Sequence, residues 1–217
     1  MKQPPKTISG GLVVVFEGLD GVGKTTQLQL SKQDLEADGW LVYTARSHGG
    51  TPIGEQLRKV SHAAIHRPPL TDVYISLAMH AALAEELAVQ RRRGAIILID
   101  RGQVSSIAYQ LYGDNLLDIV DWSVIEADMQ TYNSELTLIF EAPVDVALAR
   151  AKSKPGGNAD YFGSKSTDYF QRVNQGYQDA ARRYNLPIID SNRPAAIVQA
   201  DTIQAIKAAI KSKLNAT

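Results

Sequence analysis

Residues 13–27 read VVVFEGLDGVGKTTQ. An apolar run is followed by a glycine-rich loop and then by a polar, helix-forming sequence, so the stretch predicts a strand, a loop and a helix. The loop matches the phosphate-binding pattern G-x-x-x-x-G-K-[ST], with Gly18, Gly23, Lys24 and Thr25 at the specified positions. A flexible surface turn is the alternative, which the strand before the loop and the helix after it disfavour. We therefore predict a site for nucleotide phosphates.

Each part of this loop has a physical role at a phosphate. Glycine permits backbone angles that a side chain forbids, so successive N–H groups turn inward around the anion, and the helix adds its positive N-terminal end. Lys24 neutralises β- and γ-oxygens, and the Thr25 hydroxyl is placed to ligate Mg²⁺. The predicted nucleotide-binding residues of the loop are Gly18, Gly21, Val22, Gly23, Lys24, Thr25 and Thr26.

The composition favours one soluble, compact domain. A chain of 217 residues is long enough to bury a core without disulfides or structural metal. It has no cysteine, which excludes disulfides, thiolate metal sites and cysteine nucleophiles, and its four scattered histidines disfavour a structural zinc site. The 23 Lys and Arg residues equal the 23 Asp and Glu residues, so the net charge indicates neither a nucleic-acid partner nor an anionic membrane.

The N-terminal segment and the hydropathy of the chain predict its location. Residues 1–10 are polar and proline-containing, without the basic segment, hydrophobic core and cleavage site of a secretory leader. No apolar run approaches the length that spans a bilayer. We expect a soluble cytoplasmic protein.

Strand and helix patterns alternate along the chain, which predicts an α/β fold with a parallel sheet and helices on both faces. The predicted strands are the run before the phosphate loop and residues 41–45, 95–99, 136–140 and 187–190. The predicted helices cover residues 26–38, 71–93, 104–112, 116–132, 144–152, 167–184 and 195–214, with a further helix start at Thr51-Pro52. Ligands of such sheets bind beyond the carboxyl ends of the strands. The phosphate loop, the loop that begins at Arg46 and the pair Asp100-Arg101 all fall there.

Four segments resemble the thymidylate kinase family, which transfers the γ-phosphoryl group of ATP to dTMP. They read FEGLDGVGKTTQ at 16–27, GGTPIG at 49–54, Asp100-Arg101 followed by SSIAYQ at 105–110, and RVNQGY at 172–177. The resemblance implies a three-layer P-loop NTPase fold with a five-stranded parallel sheet. It also implies a single kinase domain over residues 1–217 with a lid at about 151–165, ATP and Mg²⁺ as cofactors, and a homodimer.

The resemblance assigns charged residues to the phosphates of both the donor and the acceptor. Lys24 and a Mg²⁺ ion held by Thr25 and Asp100 bear the phosphate charge, and Arg101 offers a planar fork to the phosphate of the acceptor. A capping Asp100 and an Arg101 in a structural ion pair are the alternatives. Arg150, just before the lid, is placed to stack on adenine. Lys152 and Lys154 occupy lid positions where arginines are common. The predicted catalytic residues are Lys24, Asp100, Arg101, Lys152 and Lys154.

The resemblance also assigns an acceptor pocket. The Asp20 carboxylate accepts a hydrogen bond from the 3′-hydroxyl of the acceptor sugar, and Tyr109 lies against the deoxyribose; an ordinary packed tyrosine is the alternative. The predicted acceptor residues are Asp20, Arg46, Gly50, Tyr74, Ser76, His80, Arg101, Ser105, Ser106, Tyr109 and Gln110. The two serines are individually weak signals, because serine also caps helices.

Three positions depart from the family pattern. The loop that commonly reads Arg-Glu-Pro-Gly-Gly reads RSHGG at 46–50, and the residue after Asp-Arg, usually aromatic or histidine, is Gly102. On the long helix, Ser76 and His80 align with a phenylalanine that stacks on thymine and an arginine that binds its O4. His80 donates one hydrogen bond but does not copy a guanidinium; Tyr74 is an alternative stacking residue.

The leading hypothesis is an ATP- and Mg²⁺-dependent kinase that converts dTMP to dTDP. A second hypothesis keeps this chemistry but changes the acceptor to another, or a modified, pyrimidine deoxynucleotide, because Ser76, His80 and Gly102 depart from the family pattern. A third hypothesis is a P-loop protein that binds nucleotide without transferring phosphate.

Overall fold

The computed structural model describes residues 3–63, 65–153 and 165–216. Its centre is a five-stranded parallel sheet. The strands are β1 (Leu12–Glu17), β2 (Val42–Arg46), β3 (Ile96–Asp100), β4 (Leu136–Glu141) and β5 (Ile188–Asp190). Their order across the sheet is β2-β3-β1-β4-β5. The first strand therefore lies in the middle of the sheet, and Val14 pairs with Leu98 on one side and Leu136 on the other.

Helices cover both faces of this sheet. They are α1 (Lys24–Ala37), α2 (Pro52–His62), α3 (Pro69–Arg92), α4 (Gln103–Ser106), α5 (Trp122–Tyr132), α6 (Val144–Lys152), α7 (Thr167–Tyr184) and α8 (Ala195–Asn215). A π helix, Ile107–Gly113, directly continues α4.

Alternate side chains of β1 enter two separate apolar clusters. Val14 and Phe16 pack in one cluster with residues of α1, α7 and α8, whereas Val13 and Val15 pack in a second with Leu83 of α3. Successive strand residues point to opposite faces, so both faces of the central strand are buried. This arrangement confirms the predicted three-layer α/β fold.

Element boundaries differ from prediction mainly after β3. The helix predicted over 104–112 is one α-helical turn followed by the π helix, and the helix predicted over 116–132 begins only at Trp122. Its N-cap is Asp121, whose side chain accepts a hydrogen bond from the backbone of Ser123. Leu116 and Val120 are buried at helical spacing without being in a helix, which explains the wrong boundary.

The lid predicted at about 151–165 falls largely on residues 154–164, which lie outside the described residues, as does Lys154. Among the described residues, none of the helices is long and apolar enough to cross a membrane.

Candidate active site

The phosphate loop connects β1 to α1 and lies against α6. Gly23 has a φ of 92° and immediately precedes α1, in a left-handed conformation that favours glycine. A Cβ atom on Gly21 would collide with the backbone carbonyl oxygen of Ala147 in α6. Val22 is buried, whereas Thr26 is exposed on the first turn of α1. The loop therefore requires glycine at these two places for conformation and for space.

Lys24 is buried inside this loop. Its Nζ donates a hydrogen bond of 2.7 Å to the carbonyl oxygen of Leu19. Burial lowers the pKa of Lys24 to about 8, and the charge of Arg101 acts in the same direction, while Asp20 and Asp100 oppose the shift. The ammonium group is therefore held at the loop by a neutral carbonyl oxygen, and a phosphate oxygen is a stronger partner for it.

The two predicted metal ligands are in direct contact. Thr25 Oγ1 donates a hydrogen bond of 2.7 Å to Asp100 Oδ2, at the carboxyl end of β3. No group of three or more His, Cys, Asp or Glu residues able to hold a metal ion occurs among the residues described. Mg²⁺ in phosphotransfer sites uses one or two protein oxygens together with phosphate and water. A hydroxyl and a carboxylate oxygen at one point fit that requirement.

Arg101 is held by hydrogen bonds from several elements. One guanidinium nitrogen, Nη1, donates to Tyr177 Oη at 2.9 Å, to Gly18 O at 3.1 Å and to Ser105 Oγ at 3.2 Å. The other, Nη2, donates to Asp20 Oδ1 at 2.6 Å and to Tyr109 Oη at 3.2 Å. The guanidinium also lies 5.0 Å from the centre of the Tyr109 ring. Arg101 is therefore ion-paired with Asp20 and held against the phosphate loop, so the structural ion pair considered as its alternative role is present.

Asp20 faces the cleft as a carboxylate. Desolvation beside the loop works against its charge, but the positive charges of Arg101 and Lys24 outweigh that effect and lower the pKa of Asp20. Its side chain remains 58% exposed. Tyr109 Oη donates a hydrogen bond of 3.4 Å to Asp20 Oδ2, but the Tyr109 ring is packed in the core against Tyr169 and Tyr177 and does not line the cleft.

An open cleft of about 280 Å³ joins these groups. It is lined by Asp20, Gly21, Gly23, Lys24, Thr25, Arg46, His48, Arg58, Asp100 and Arg101. Four of these side chains are cationic and two are carboxylates, while burial and the charges of His80 and Arg101 lower the pKa of His48 well below its usual value. The cleft therefore favours polyanionic ligands.

A thymidylate kinase family model matches residues 16–202. The chain belongs to the thymidylate kinase family. Thymidylate kinase from Acinetobacter baylyi is 30% identical over 207 residues, covering 92% of this chain and 100% of the relative. Thymidylate kinase from Pseudomonas fluorescens is 34% identical over 196 residues, covering 87% and 91%. The crystal structure of thymidylate kinase from Ehrlichia chaffeensis matches with a TM-score of 0.66 and 25% identity, covering 91% and 99%.

As a member of the thymidylate kinase family, the chain is a kinase. The loop after β2 contains one of the segments that resemble this family, GGTPIG at 49–54. Glu55 organises this loop, because its Oε1 accepts hydrogen bonds from Arg46 Nη2 at 2.6 Å and from Gly50 N at 2.8 Å. Thr51 caps α2 by accepting from Gly54 N. Arg46 lines the cleft, and the backbone of Gly50 holds the loop against Glu55.

The departures from the thymidylate kinase pattern on α3 are buried. Ser76 and His80 are 2% and 0% exposed, one helical turn apart on the same face. Tyr74 lies on the opposite face and is 63% exposed, so the structure does not support a stacking role for it. Ser76 Oγ lies 3.4 Å from His48 Nε2, which connects this face of α3 to the cleft wall.

The acceptor residues predicted after β3 fall into two groups. Ser105 Oγ is engaged with Glu17, Arg101 and Tyr177, so it supports Arg101 rather than facing open space. Ser106 Oγ and Gln110 Oε1 are buried and have no hydrogen-bond partner among the residues described.

The residues predicted to face the adenine and the lid lie on and beyond α6. Arg150 Nη1 donates to Ser191 O at 3.1 Å, which ties the end of α6 to the loop after β5. Lys152 is exposed at the last position of α6. Neither residue lines the cleft described above.

Sequence reasoning missed two buried residues that hold Arg101. Glu17 Oε1 accepts from Gly102 N at 2.8 Å and from Ser105 N at 3.1 Å, and Glu17 Oε2 accepts from Ser105 Oγ at 2.6 Å. Tyr177 is uncharged, and its hydroxyl forms hydrogen bonds with Arg101 and Ser105. A carboxylate at the end of an apolar strand was the available signal for Glu17, and Tyr177 ends the RVNQGY segment.

Proposed function

We propose that this kinase transfers the γ-phosphoryl group of ATP to the phosphate of dTMP, giving ADP and dTDP. The observation that carries the proposal is the shared cleft: Lys24 with the phosphate loop and the fixed guanidinium of Arg101 line the same space. Phosphoryl transfer depends mainly on bringing two anionic groups together and neutralising their charge. The names of the relatives support dTMP as the acceptor.

Each charged group has a separate role in the proposed reaction. Loop amides and Lys24 hold the donor phosphates, and Arg101 holds the acceptor phosphate as a planar hydrogen-bonding fork, whose Nη2 exchanges its hydrogen bond to Asp20 for one to the phosphate. Mg²⁺ held by Thr25 and Asp100 would supply further charge neutralisation at the donor phosphates. Asp20 accepts a hydrogen bond from the sugar hydroxyl of the acceptor, with Tyr109 beside it.

The remaining roles are supported by the family resemblance. Arg150 faces the adenine, and Lys152 and Lys154 contribute lid cations, with Lys154 outside the described residues. A lysine lacks the bidentate fork of arginine, so each lid contact is weaker than that of an arginine. The single-domain organisation, a homodimeric state and a cytoplasmic location belong to the same proposal.

The test replaces Arg101 and follows ADP release with dTMP, dUMP, dCMP, dGMP and dAMP as acceptors. We expect the wild-type protein to turn over dTMP fastest. Arg101→Ala should lower kcat/KM for dTMP roughly 100-fold or more, because the guanidinium that neutralises phosphate charge during the transfer is lost. ATP affinity, measured by calorimetry, should change little.

Arg183→Ala is the matched control, since Arg183 pairs with Glu126 on the exposed surface of α7 and α5. That variant should keep wild-type turnover. Unchanged turnover of dTMP by Arg101→Ala would overturn the proposed mechanism, and wild-type preference for another monophosphate would overturn the proposed acceptor.

A further inference from the structure

Two of the positions that depart from the family pattern, Ser47 and Gly102, lie next to one buried tyrosine. Tyr132 is the last residue of α5 and is 1% exposed. Its hydroxyl oxygen lies 3.0 Å from Ser47 Oγ, in the loop after β2. A Cβ atom on Gly102, in the turn after β3, would lie 3.7 Å from the Tyr132 ring. One side chain of α5 therefore lies against both of the segments that follow these strands.

The Tyr132 ring occupies the space beside Gly102. The family pattern has an aromatic residue or histidine after Asp-Arg, whereas Gly102 has no side chain. A Cβ atom on Gly102 would also lie 2.9 Å from Val15 Cγ1, closer than carbon atoms approach in ordinary packing. Val15 and Tyr132 belong to the same apolar cluster. The aromatic ring next to this turn is thus supplied by α5 and not by residue 102 itself.

The hydroxyl group of Tyr132 is matched by the short side chain of Ser47. Ser47 is 0% exposed and occupies the position at which the family pattern has a glutamate. Among the residues described, Ser47 Oγ is the hydrogen-bond partner of the Tyr132 hydroxyl. Burial raises the pKa of Tyr132, so the hydrogen bond joins two neutral hydroxyl groups. Removal of either hydroxyl leaves the other buried without this partner, which costs free energy.

Ser47 connects this hydrogen bond to the cleft. Its backbone N–H donates to the carbonyl oxygen of Asp100 at 3.1 Å, which continues the pairing of β2 with β3 beyond the end of β2. The carbonyl oxygen of the next residue, His48, accepts from Arg58 Nη1 at 3.0 Å. Arg58 and Arg101 both line the cleft. The first of these cations is therefore bound to the loop after β2, and the second belongs to the turn after β3.

The last turn of α5 also contacts the turn after β3 directly. Gln103 Nε2 donates to the carbonyl oxygen of Asp128 and to Thr131 Oγ1, both at 3.2 Å. Gln103 is 5% exposed and immediately follows Gly102. The end of α5 therefore supports the turn after β3 through Gln103 and the loop after β2 through Ser47.

We propose that Tyr132 is a positioning residue of the acceptor site, which sets the spacing between the loop after β2 and the turn after β3. This inference rests on the proposed function, because it places the acceptor phosphate among cleft cations that come from both segments. A shift of one segment relative to the other changes the distance between the guanidinium groups of Arg58 and Arg101. The phosphate loop follows β1 and packs against α6, so the donor side should be insensitive to this shift.

Two substitutions remove the hydrogen bond from opposite ends. Tyr132→Phe removes the hydroxyl and keeps the ring, and Ser47→Ala removes the serine hydroxyl. ADP release is measured with each substrate varied in turn, which gives the KM for dTMP and the KM for ATP of both single variants and of the double variant. Tyr184→Phe is the matched control, because it removes a tyrosine hydroxyl that donates to Glu126 of α5.

We expect each single variant to raise the KM for dTMP about fivefold and to keep the KM for ATP within about twofold of wild type, because one hydrogen bond is lost on the acceptor side only. The double variant should resemble the single variants, since both substitutions remove the same contact. Tyr184→Phe should leave both KM values unchanged.

Three results would overturn the inference. Unchanged KM values in Tyr132→Phe would show that Tyr132 only fills space, and an equal rise of both KM values would show a general loss of structure. Effects that add in the double variant would show that the two hydroxyl groups act separately.

The wild-type protein tests the proposed function separately. Preference for another monophosphate would overturn the proposed acceptor alone, and the KM for that monophosphate then tests the role of Tyr132 in the same variants. Absence of turnover with every monophosphate would overturn both the proposed function and the inference.

Discussion

Arg101 combines a charged functional group with an unusual backbone conformation. Its φ is 68°, and the other positive-φ residues besides glycine in the described ranges are the asparagines Asn115, Asn133 and Asn185. Asparagine tolerates the left-handed region, whereas for arginine this conformation costs free energy that the surroundings must offset. Glu17 accepts hydrogen bonds from the backbone immediately after Arg101, at Gly102. We attribute the stability of this conformation to that buried carboxylate.

Substitution of Glu17 tests this assignment. Glu17→Ala leaves two backbone N–H groups without their acceptor and removes one partner of the Ser105 hydroxyl, so the turn that places Arg101 is weakened. We expect the KM for dTMP to rise by about tenfold or more, with a smaller change in the KM for ATP. Glu17→Gln, which retains an acceptor oxygen, should show an intermediate effect.

The matched control for Glu17 is Glu135→Ala. Glu135 Oε2 likewise accepts from a backbone N–H group, that of Val13, but it lies at the opposite end of β1. This control should lower thermal stability without changing the ratio of the two KM values. An equal rise of both KM values in Glu17→Ala would contradict a role in holding Arg101.

The lowered pKa of Lys24 predicts that nucleotide binding depends on pH. At a pKa of about 8, roughly three-quarters of the lysine is neutral at pH 8.5. Bound phosphate favours the ammonium form, so ATP binding at pH 8.5 should take up most of one proton. Calorimetry in buffers of different ionisation enthalpy measures this uptake.

The control for the proton uptake is Lys24→Arg, which stays charged and should take up none. Equal heats of binding in all buffers for wild type would contradict the lowered pKa. The same lowered pKa affects folding. Between about pH 8 and the ordinary lysine pKa of 10.5, the unfolded chain binds more protons than the folded protein, so the contribution of Lys24 to the free energy of unfolding rises with pH.

At the scale of elements, the contact between α7 and the π helix positions residues that hold Arg101. Gly113 and Gly176 lie in this contact, and a Cβ atom on Gly176 would lie 2.8 Å from the Cα atom of Ala108. Close backbone approach therefore places Tyr177 next to Ser105 and Arg101.

Gly176→Ala should destabilise the protein although alanine is the better helix former. Alanine gains about 1 kcal/mol in helix propensity, but overpacking against a backbone atom costs about 1–3 kcal/mol. We expect a lower Tm, by about 2–4 °C for each kcal/mol lost, and a higher KM for dTMP. Gln171→Ala, on the exposed face of α7, is the control and should leave both unchanged. A Tm above wild type would show that the contact yields without cost.

The elements after β3 show why local patterns misplace boundaries. Leu116 and Val120 have helical spacing, yet they are buried anchors of an irregular segment before the Asp121 cap. Periodicity reports which side chains are buried, and an irregular segment with two anchors produces the same signal as a helix turn.

At the scale of the whole molecule, the parallel sheet brings the ends of β1, β2 and β3 to one edge. Phe16, Arg46 and Asp100 are neighbours there by strand register. Among the residues that line the cleft, the phosphate loop follows β1, His48 follows β2 and Arg101 follows β3. The two halves of the site therefore depend on the strand order as much as on the side chains.

The sequence by itself determined the α/β class, the phosphate loop and the family, because each depends on contiguous residues whose backbone and charge requirements are local. The pairing of Thr25 with Asp100 was also predictable, since both follow strand ends that meet at one edge. Only the tertiary structure decided that Glu17 and Tyr177 hold Arg101, that Tyr74 faces away, and that Ser47, His80 and Gly102 lie around Tyr132. These relations join distant parts of the chain through packing, and packing depends on the volumes and directions of side chains on several elements at once.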